Sequence, residues 1–551
     1  RRNDGSQQLC TTHNEKPNQK EKRIKMKINL NHSLRKGLCF AQLFDSLICT
    51  LLLGTILAAI FSVSAKFPDK LIDAKYFFTW GMSIITCITI ALRIVCTKNR
   101  LPLQTYYKFI EFSIVLACTF QALFFLVQAT GIILPYCEYG VGSFENTAGL
   151  ASCLSISLPI SWNLTSKNSK IKTILLYISK TICIIAIVYS QSRTGIICII
   201  VFTFLRIVPK DKWKWSGAII PLLFFTILFY KSDSSKGRWF ILQRSIEMIW
   251  LHPWFGYGKG GFEAHYMDIQ ATYFMRHPFS EYGMLADNIK HPLNEWIAAT
   301  IDFGLIGLFV IVSFFASTIR YANKHPSKYS SQGLMILIGI GIFSCFSYPF
   351  QYPFTWLMLI FSLCCIYNIS FGRFKKPLAY LVIFGGFGMG YLIGTDCKDN
   401  IKLEKMQEKS NCGLSKRILP QYKSLYHRQR HDCRFLFYYA YDLYLAEQTQ
   451  DALKKAKECH TLLADYELNL LTGDIFKSLG QKDSSLHYYR HAHYMCPSRL
   501  TPLYEMYRVC KEYKDTMAYT KLRYAILHKP IKVKSKETER IIQEIKNEPS
   551  I

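Results

Sequence analysis

The feature that most constrains this chain is a succession of long apolar runs between Leu38 and Thr395, separated by short joints rich in lysine and arginine. Half of the 551 residues are apolar, yet the formal net charge is +29. These two facts are compatible because the apolar and the basic residues are segregated along the chain. A bilayer requires about 20 apolar residues for each helix that crosses it, and many of the runs reach that length. The pattern therefore predicts an all-α, polytopic transmembrane helical bundle.

The apolar runs predict about eleven spans, at residues 38–63, 76–97, 110–134, 147–164, 173–190, 195–209, 215–230, 296–319, 331–349, 353–371 and 377–395. Each even-numbered span is followed by a joint rich in lysine or arginine, and such joints are retained in the cytoplasm. The joint Ser192–Gly195, the polar loop 231–295 and the chain after Thr395 are therefore expected together on the external face. Lysines of the first external loop, such as Lys75, are an exception to this bias.

The two ends of the chain are polar. Residues 1–37 are basic and are predicted to form a disordered cytoplasmic tail. Residues 396–551 have an amphipathic helical pattern, and the window Tyr466–Arg499 matches the spacing of a 34-residue tetratricopeptide repeat. The matching positions are Gly473, Phe476, Ser485, Tyr489, Ala492 and Pro497. We therefore predict an external tetratricopeptide-like helical domain, with an ordinary helical bundle as the alternative.

The composition also argues against several classes of function. The positive charge follows the joints between apolar runs, so it indicates membrane topology and not nucleic-acid binding. Eleven of the 19 cysteines lie inside apolar runs, where cysteine behaves as a small apolar side chain. No C-x-x-C pair with metal-ligand spacing occurs, so no metal site is expected. The glycines that follow Trp254 do not come after a strand, so no dinucleotide cofactor is expected either.

The interval 231–295 is a long polar stretch between two apolar runs. It contains Gly237–Trp239, the aromatic and glycine-rich stretch His252–Gly258, and His291–Glu295 at its end. Almost all of the other joints before residue 395 are short. A membrane protein that keeps one large loop with arginine, histidine and aromatic side chains is predicted to carry out its function there.

Arg193 and Arg238 are candidates for binding an anionic group. Arg193 lies between the fifth and sixth predicted spans, and Arg238 lies near the start of the polar loop. A guanidinium group forms two parallel hydrogen bonds with phosphate oxygens, so two arginines on one face favour a diphosphate site. Each side chain can instead be an interfacial anchor that reaches lipid phosphates. The residues alone leave both interpretations open.

His291 is the candidate general base. It ends the polar loop just before the eighth predicted span, and a neutral imidazole accepts a proton from a hydroxyl near neutral pH. Asn294 follows one turn later and is placed to orient the ring or a sugar. A histidine without a chemical role is the alternative, and the other histidines of the loop compete for the part of the base: His252, His265 and His277.

Six short motifs follow one another along the chain: Gly142–Asn146, Ser192–Gly195, Gly237–Trp239, Trp250–Gly258, His291–Glu295 and Gly304–Gly307. In this order and context they resemble the O-antigen ligase and polymerase superfamily of bacterial membrane glycosyltransferases. The resemblance covers residues 140–320 in motifs and 38–395 in hydropathy. Two features differ from the usual pattern of the superfamily. The usual histidine and asparagine are adjacent, whereas two residues separate His291 from Asn294 here, and this chain has an additional C-terminal repeat domain.

The resemblance implies a GT-C-like bundle in the bacterial inner membrane, with the polar loop and the C-terminal domain in the periplasm. Such enzymes transfer a glycan from undecaprenyl diphosphate to an acceptor hydroxyl, here that of lipid A-core, without metal or cofactor. The resemblance further implies that Arg193 and Arg238 bind the diphosphate and that His291 activates the acceptor. Further substrate contacts are expected from Asn146, Asn294 and Arg244.

Other functions fit the same pattern. Within the superfamily, the acceptor can be a growing glycan, as in a polymerase, or a protein, as in an O-oligosaccharyltransferase. Tetratricopeptide repeats bind peptides and proteins, so the C-terminal domain favours a protein acceptor or partner proteins of the envelope. A transporter or flippase and a non-catalytic scaffold are less favoured. Transporters concentrate ionisable residues near the bilayer midplane, where this chain has few.

Overall fold

The computed structural model describes residues 19–97, 101–133, 141–164, 170–208, 232–368, 376–532 and 534–548. Within these ranges the chain forms 20 α-helices and no β-strand, so the predicted all-α fold is confirmed. The helices are α1 Gln19–Phe61, α2 Ile72–Cys96, α3 Leu103–Ala129, α4 Thr147–Asn163, α5 Lys170–Tyr189, α6 Arg193–Ile207, α7 Ser232–Leu251, α8 Gly261–Arg276, α9 Glu295–Lys324, α10 Lys328–Phe346, α11 Pro353–Tyr367, α12 Lys376–Asn411, α13 Ser415–Gln429, α14 Cys433–Leu445, α15 Thr449–His460, α16 Tyr466–Ser478, α17 Lys482–Met495, α18 Thr501–Glu512, α19 Thr516–Leu527 and α20 Lys536–Asn547.

Among the described helices, seven are long and apolar enough to cross a membrane: the Phe40–Phe61 part of α1, and α2, α3, α5, α9, α10 and α12. The predicted fourth and tenth spans correspond to the shorter apolar helices α4 and α11. The predicted sixth span corresponds to α6, which has 15 residues. The predicted seventh span, 215–230, lies outside the described residues. The structure therefore confirms a polytopic helical bundle, and the total of about eleven spans stays a prediction.

Helix α1 begins at Gln19, inside the segment 1–37 that the sequence predicted to be a disordered tail. Residues 19–36 contain no proline or glycine and are rich in lysine and arginine, which have good helix propensity. The helical backbone of the first span therefore extends beyond the apolar run. The rest of the predicted tail, residues 1–18, lies outside the described residues.

Helix α4 is the centre of the bundle. Its sequence is apolar or serine on all sides, and side chains such as Leu150, Leu154 and Ile160 are fully buried. A helix without a polar face is stable only when other helices surround it, and α3, α5, α6, α10 and α11 pack against α4. The beginning of α4, just after Asn146, is therefore fixed near the middle of one end of the bundle.

Lys75 lies in α2 and is fully buried, although the sequence suggested a charge of the first external loop. Its ammonium group donates hydrogen bonds to the carbonyl oxygens of Ser62, at 3.0 Å, and Ser143, at 2.6 Å. The lysine thus joins the end of α1 to the segment before α4, at what we call the loop end of the bundle. The first external loop was expected to be poor in lysine and arginine. Lys75 is one of its unexpected lysines, and its charge has a structural role because it binds these backbone carbonyl groups.

Helices α13 to α20 follow α12 and pack successively, each against the next. Helices α16 and α17 approach closely at Gly473, where a Cβ atom would lie 2.5 Å from the ring of Tyr489. The Ser485 hydroxyl donates a hydrogen bond to the carbonyl oxygen of Gly473 at 2.9 Å. Small residues therefore allow close helix packing at these positions, and the assignment to tetratricopeptide repeats stays a prediction.

The C-terminal helices and the loop 231–295 share one hydrophobic core. Its buried members are Ile241, Met248, Phe262, Tyr266, Met267 and Ala271 from the loop, Ile301 from α9, and Ala464, Tyr466, Ala492, Met495 and Cys496 from the C-terminal helices. Polar contacts surround this core. The Gln270 amide donates to the carbonyl oxygen of Met495 at 2.7 Å, and Arg499 forms an ion pair with Asp287 at 2.8 Å. The loop is therefore folded together with the C-terminal helices.

Helix α9 is broken at Gly304, which has φ 68° and ψ −173°. The turn that follows α7 enters this break. The amide of Leu305 donates to the carbonyl oxygen of Pro253 at 2.7 Å, and the amide of Tyr257 donates to that of Ile301 at 2.8 Å. Residues with a Cβ atom rarely adopt this backbone conformation, and a Cβ at position 304 would overlap the carbonyl group of Trp254. Glycine is therefore required where the loop joins the bundle.

We expect Gly304→Ala to lower the apparent melting temperature of the detergent-solubilised protein. The backbone strain alone costs about 1–3 kcal/mol, and the overlap with the turn adds to it. Gly341→Ala is the matched control, because Gly341 lies inside α10 with no atom within 4 Å of the added Cβ. Equal melting temperatures for the two variants would contradict the role assigned to Gly304.

Candidate active site

Arg193 is the first residue of α6 and lies at the loop end. Gln191 adopts φ 53°, and the Ser192 side chain accepts a hydrogen bond from the amide of Gly195 at 3.3 Å, which caps the helix. The Arg193 guanidinium donates to the hydroxyl of Ser235 at 3.2 Å. Arg193 therefore connects the start of α6 with the start of α7.

Arg238 lies one turn further along α7. Its guanidinium donates a hydrogen bond to the carbonyl oxygen of Phe346, the last residue of α10, at 2.9 Å. Desolvation by the surrounding protein, although part of the side chain is exposed, and the neighbouring charge of Arg193 lower the pKa of the Arg238 guanidinium. Two cations that disfavour each other in this way form a site that a bound anion would stabilise. The structure thus brings together the two arginines that the sequence singled out.

His291 is held against an aromatic ring at the same end. Its imidazole stacks on Tyr348, with ring centroids 4.8 Å apart and an interplanar angle of 23°. The Asn146 amide donates to the Tyr348 hydroxyl at 2.9 Å, and its oxygen accepts from the amide of Gly149 at 2.9 Å as the cap of α4. The imidazole is therefore positioned, through Tyr348 and Asn146, by the central helix of the bundle.

Asn294 has its amide engaged by the protein on both sides. Its oxygen accepts from the amide of Ile297 at 3.1 Å, which caps α9, and its nitrogen donates to the carbonyl oxygen of Cys345 at 2.9 Å. These bonds fix the start of α9 against the end of α10. A contact between Asn294 and substrate, which the resemblance implied, would require one of these bonds to be shared or replaced.

The short segment Cys345–Tyr348 is the common point of the site. Asn294 binds its first residue, Arg238 binds the next, and His291 stacks on its last. Sequence reasoning did not select this segment. It lies at the end of the ninth predicted span, 331–349, and nothing local indicated that residues from 238 to 294 would meet there.

Arg244 lies in a different environment. Its guanidinium forms an ion pair with Glu247 at 2.7 Å and lies over the ring of Tyr273 at 4.4 Å. Phe240, also near this guanidinium, is buried against Tyr273 and Phe274 inside the loop. Arg244 therefore contributes to packing inside the loop. It shares none of the contacts described above for Arg193, Arg238 and His291.

Glu145 is a further polar group at the loop end. Its Oε2 atom is buried and accepts no hydrogen bond from the described residues. Burial and the nearby charge of Asp69 raise the pKa of the Glu145 carboxyl, and Lys290 opposes this effect. A buried carboxylate oxygen without a donor is costly, so a ligand that supplies a hydroxyl or amine would stabilise it. The sequence showed Glu145 only as part of a motif.

Burial and the adjacent positive charge of Lys290 lower the pKa of His291 below its ordinary value of 6.5. If His291 acts as a base, the neutral form is the active one, so kcat/KM should persist below pH 6.5 and fall only at more acidic pH. We expect Lys290→Ala to raise this pKa and to move the acidic limb to higher pH. The measurement is a pH profile of transfer, with Lys259→Ala as the control. An acidic limb above pH 6.5, or one unmoved in Lys290→Ala, would contradict this prediction.

The fold and the site define a class: a polytopic helical membrane protein with two arginines and a histidine gathered at one end of the bundle. Residues 178–312 match the family model described as O-antigen ligase, Wzy_C. The match confirms the resemblance seen in the motifs, and this segment of the chain is similar to the O-antigen ligase family. The matched segment includes Arg193, Arg238 and His291. A comparison with curated proteins found no match to this chain.

The family match supports a membrane glycosyltransferase of the ligase, polymerase or oligosaccharyltransferase kind. The candidate spans agree with a multi-pass membrane protein. A lipid-linked glycan and a lipid acceptor are the partners that the family suggests.

Proposed function

We propose that the protein transfers a glycan from undecaprenyl diphosphate to a hydroxyl of lipid A-core at the periplasmic face of the inner membrane. The observation that carries this proposal is the convergence of Arg238, Asn294 and His291 on the segment Cys345–Tyr348, with Arg193 beside Arg238. A cationic pair and an imidazole held at one place are what transfer from a lipid diphosphate requires.

In the proposed reaction, the acceptor hydroxyl oxygen attacks the anomeric carbon of the glycan while the bond from that carbon to the diphosphate oxygen breaks. The hydroxyl proton passes to the neutral imidazole of His291. The bonding electrons leave with the undecaprenyl diphosphate, whose growing negative charge is stabilised by Arg193 and Arg238. The lowered pKa of His291 keeps the ring neutral before the reaction.

Glu145 is proposed to bind the acceptor. Its buried, unbonded Oε2 atom can accept a hydrogen bond from a sugar hydroxyl that neighbours the reacting one. We expect Glu145→Gln to raise the KM for the acceptor by about tenfold, which corresponds to the loss of one charged hydrogen bond, with a smaller change in kcat. Steady-state transfer at varied acceptor concentration tests this. An unchanged acceptor KM together with a lower kcat would assign Glu145 another role.

A protein acceptor is the second candidate, and one observation favours it. A cavity of about 350 Å³, with polar and apolar walls, lies among the C-terminal helices beside Asp287 of the loop 231–295. Charged side chains of both signs line it, namely Asp287, Glu467, Arg499, Lys532 and Glu537. Such a surface suits a peptide with charged side chains, and it belongs to the helices that share a core with the loop.

The deciding experiment supplies purified protein with undecaprenyl diphosphate bearing a labelled glycan, together with lipid A-core, free glycan and a serine-rich protein as competing acceptors. Label on lipid A-core supports a ligase, and label on protein or glycan supports the other members of the family. Label on none of them, with intact donor recovered from folded protein, would overturn the proposed transferase activity.

A further inference from the structure

Helix α7 exposes an apolar face. Trp239, Ile246 and Trp250 are 54%, 42% and 77% exposed, and their spacing of seven and four residues places them on one side of an α-helix. The opposite side, with Ile241 and Met248, is buried in the core shared with the C-terminal helices. The helix therefore has two apolar sides, of which only one is covered by the described part of the protein.

The apolar face continues into the turn after α7. Leu251, Trp254 and Phe255 are all exposed, Phe255 at 78%. This turn is fastened to α9 at the break, by the bond from the amide of Leu305 to the carbonyl oxygen of Pro253. A large apolar surface that is exposed and rigidly held marks an interaction site.

The surface of α9 next to this turn is also apolar and exposed. Its exposed members include Phe303, Leu305, Ile306, Phe309 and Val310, and they belong to a helix long and apolar enough to cross a membrane. The exposed face of α7 and its turn is thus continuous with a surface that faces lipid.

Helix lengths give the depth of this face. Helix α10 has 19 residues and spans about 28 Å at 1.5 Å per residue, close to the thickness of the hydrocarbon core. Helix α9 returns beside it, and its part from Gly304 to Lys324 has a similar length. Phe346 and Gly304 therefore lie near the same membrane boundary. Near its start, α7 is bonded to Phe346 through Arg238, and just after its end the carbonyl oxygen of Pro253 accepts a hydrogen bond from Leu305, next to Gly304. Both ends of α7 are therefore close to this boundary, and the helix extends along it.

We propose that α7 and the turn Leu251–Phe255 lie in the headgroup region of the bilayer, with Trp239, Trp250 and Trp254 as interfacial anchors. Tryptophan is enriched at this depth because its ring is apolar and its N–H group is polar. The occupant of the exposed face is therefore the lipid surface itself. One consequence rests on the proposed function: the anchors hold Arg238, on the same helix, at the depth of a lipid-linked diphosphate.

The test uses a photoreactive benzoylphenylalanine at position 250 or 254 of the full chain, reconstituted in vesicles of phosphatidylethanolamine and phosphatidylglycerol that carry radiolabelled acyl chains. Phe309, exposed on α9, is the positive control, and Tyr524, exposed on α19, is the negative control. We expect positions 250 and 254 to form lipid adducts as position 309 does. The proposal would be overturned if positions 250 and 254 formed adducts with protein, or if they formed as few lipid adducts as position 524. This readout does not depend on enzymatic activity.

A second measurement concerns the consequence for Arg238. We expect Trp250→Asp combined with Trp254→Asp to reduce transfer from an undecaprenyl donor at least fivefold in vesicles and to leave it nearly unchanged in detergent. Phe279→Asp is the control, because Phe279 is fully exposed in the same loop. Equal losses in vesicles and detergent would overturn the positioning of Arg238. Absence of transfer in the wild-type protein would count against the proposed function, and the lipid adducts would still decide the membrane contact.

Discussion

His291→Ala is expected to reduce glycan transfer by about 10²–10⁴-fold, the usual contribution of a general base, with normal expression and membrane insertion. The imidazole is stacked on Tyr348, and it forms no side-chain hydrogen bond with the part of the chain that the structure describes, so its removal should affect chemistry more than folding. Transfer of labelled glycan by purified protein, with the melting temperature measured in parallel, gives the result.

His277→Ala is the matched control for this prediction. His277 lies in the same loop, is exposed, and stacks on Tyr273 in a similar manner. Its variant should keep wild-type transfer. Transfer at the wild-type rate by His291→Ala would exclude His291 as the base. A large loss in both variants would point to damage to the loop and not to a missing base.

Arg193→Ala and Arg238→Ala are each expected to reduce transfer by about 10²–10³-fold, the range seen when one donor to a developing negative charge is removed. Lysine at either position keeps the charge but loses the planar fork that matches phosphate, so the lysine variants should be intermediate. Because both guanidinium groups are expected to bind one diphosphate, the effect of the double alanine variant should be smaller than the product of the two single effects.

Lys236→Ala serves as the control for the arginine variants. Lys236 lies on α7 two residues before Arg238, and its exposed ammonium group faces Glu281 at 3.8 Å. Its loss changes the net charge of the helix equally without removing a guanidinium. If Lys236→Ala and Arg238→Ala lower transfer to the same extent, general electrostatic attraction explains the effect. Specific binding of the diphosphate by the Arg238 guanidinium would then be excluded.

The membrane bundle was predictable from the sequence because each span is a local signal. A run such as 110–134 or 377–395 is close to or above the length of about 20 residues that a bilayer requires, so α3 and α12 were expected from neighbouring residues alone. Lys75 shows the limit of this reasoning. Counting charges treats every lysine of a joint as solvated, whereas Lys75 is buried and binds two carbonyl oxygens.

The candidate site was predictable only in part. Arg193, Arg238 and His291 could be selected because charged and titratable groups beside apolar runs are conspicuous. Their meeting point, Cys345–Tyr348, follows His291 by more than 50 residues, and pairing over that distance depends on how α9 and α10 pack. Tyr348 was missed for this reason. Glu145 was recognised in the sequence only as part of the motif Gly142–Asn146. The burial of its Oε2 atom, which has no hydrogen-bond donor among the described residues, depends on the tertiary structure.

The core that the loop shares with the C-terminal helices also sets an order of assembly. The loop residues Met248 and Tyr266 are covered by Tyr466 and Met495, which the ribosome adds roughly 200 residues later. At a synthesis rate of about 5–20 residues per second, the loop waits about 10–40 s for its covering helices. The bundle is therefore synthesised before the core of the loop 231–295 can be completed, and a chain released early would lack the helices that cover this loop.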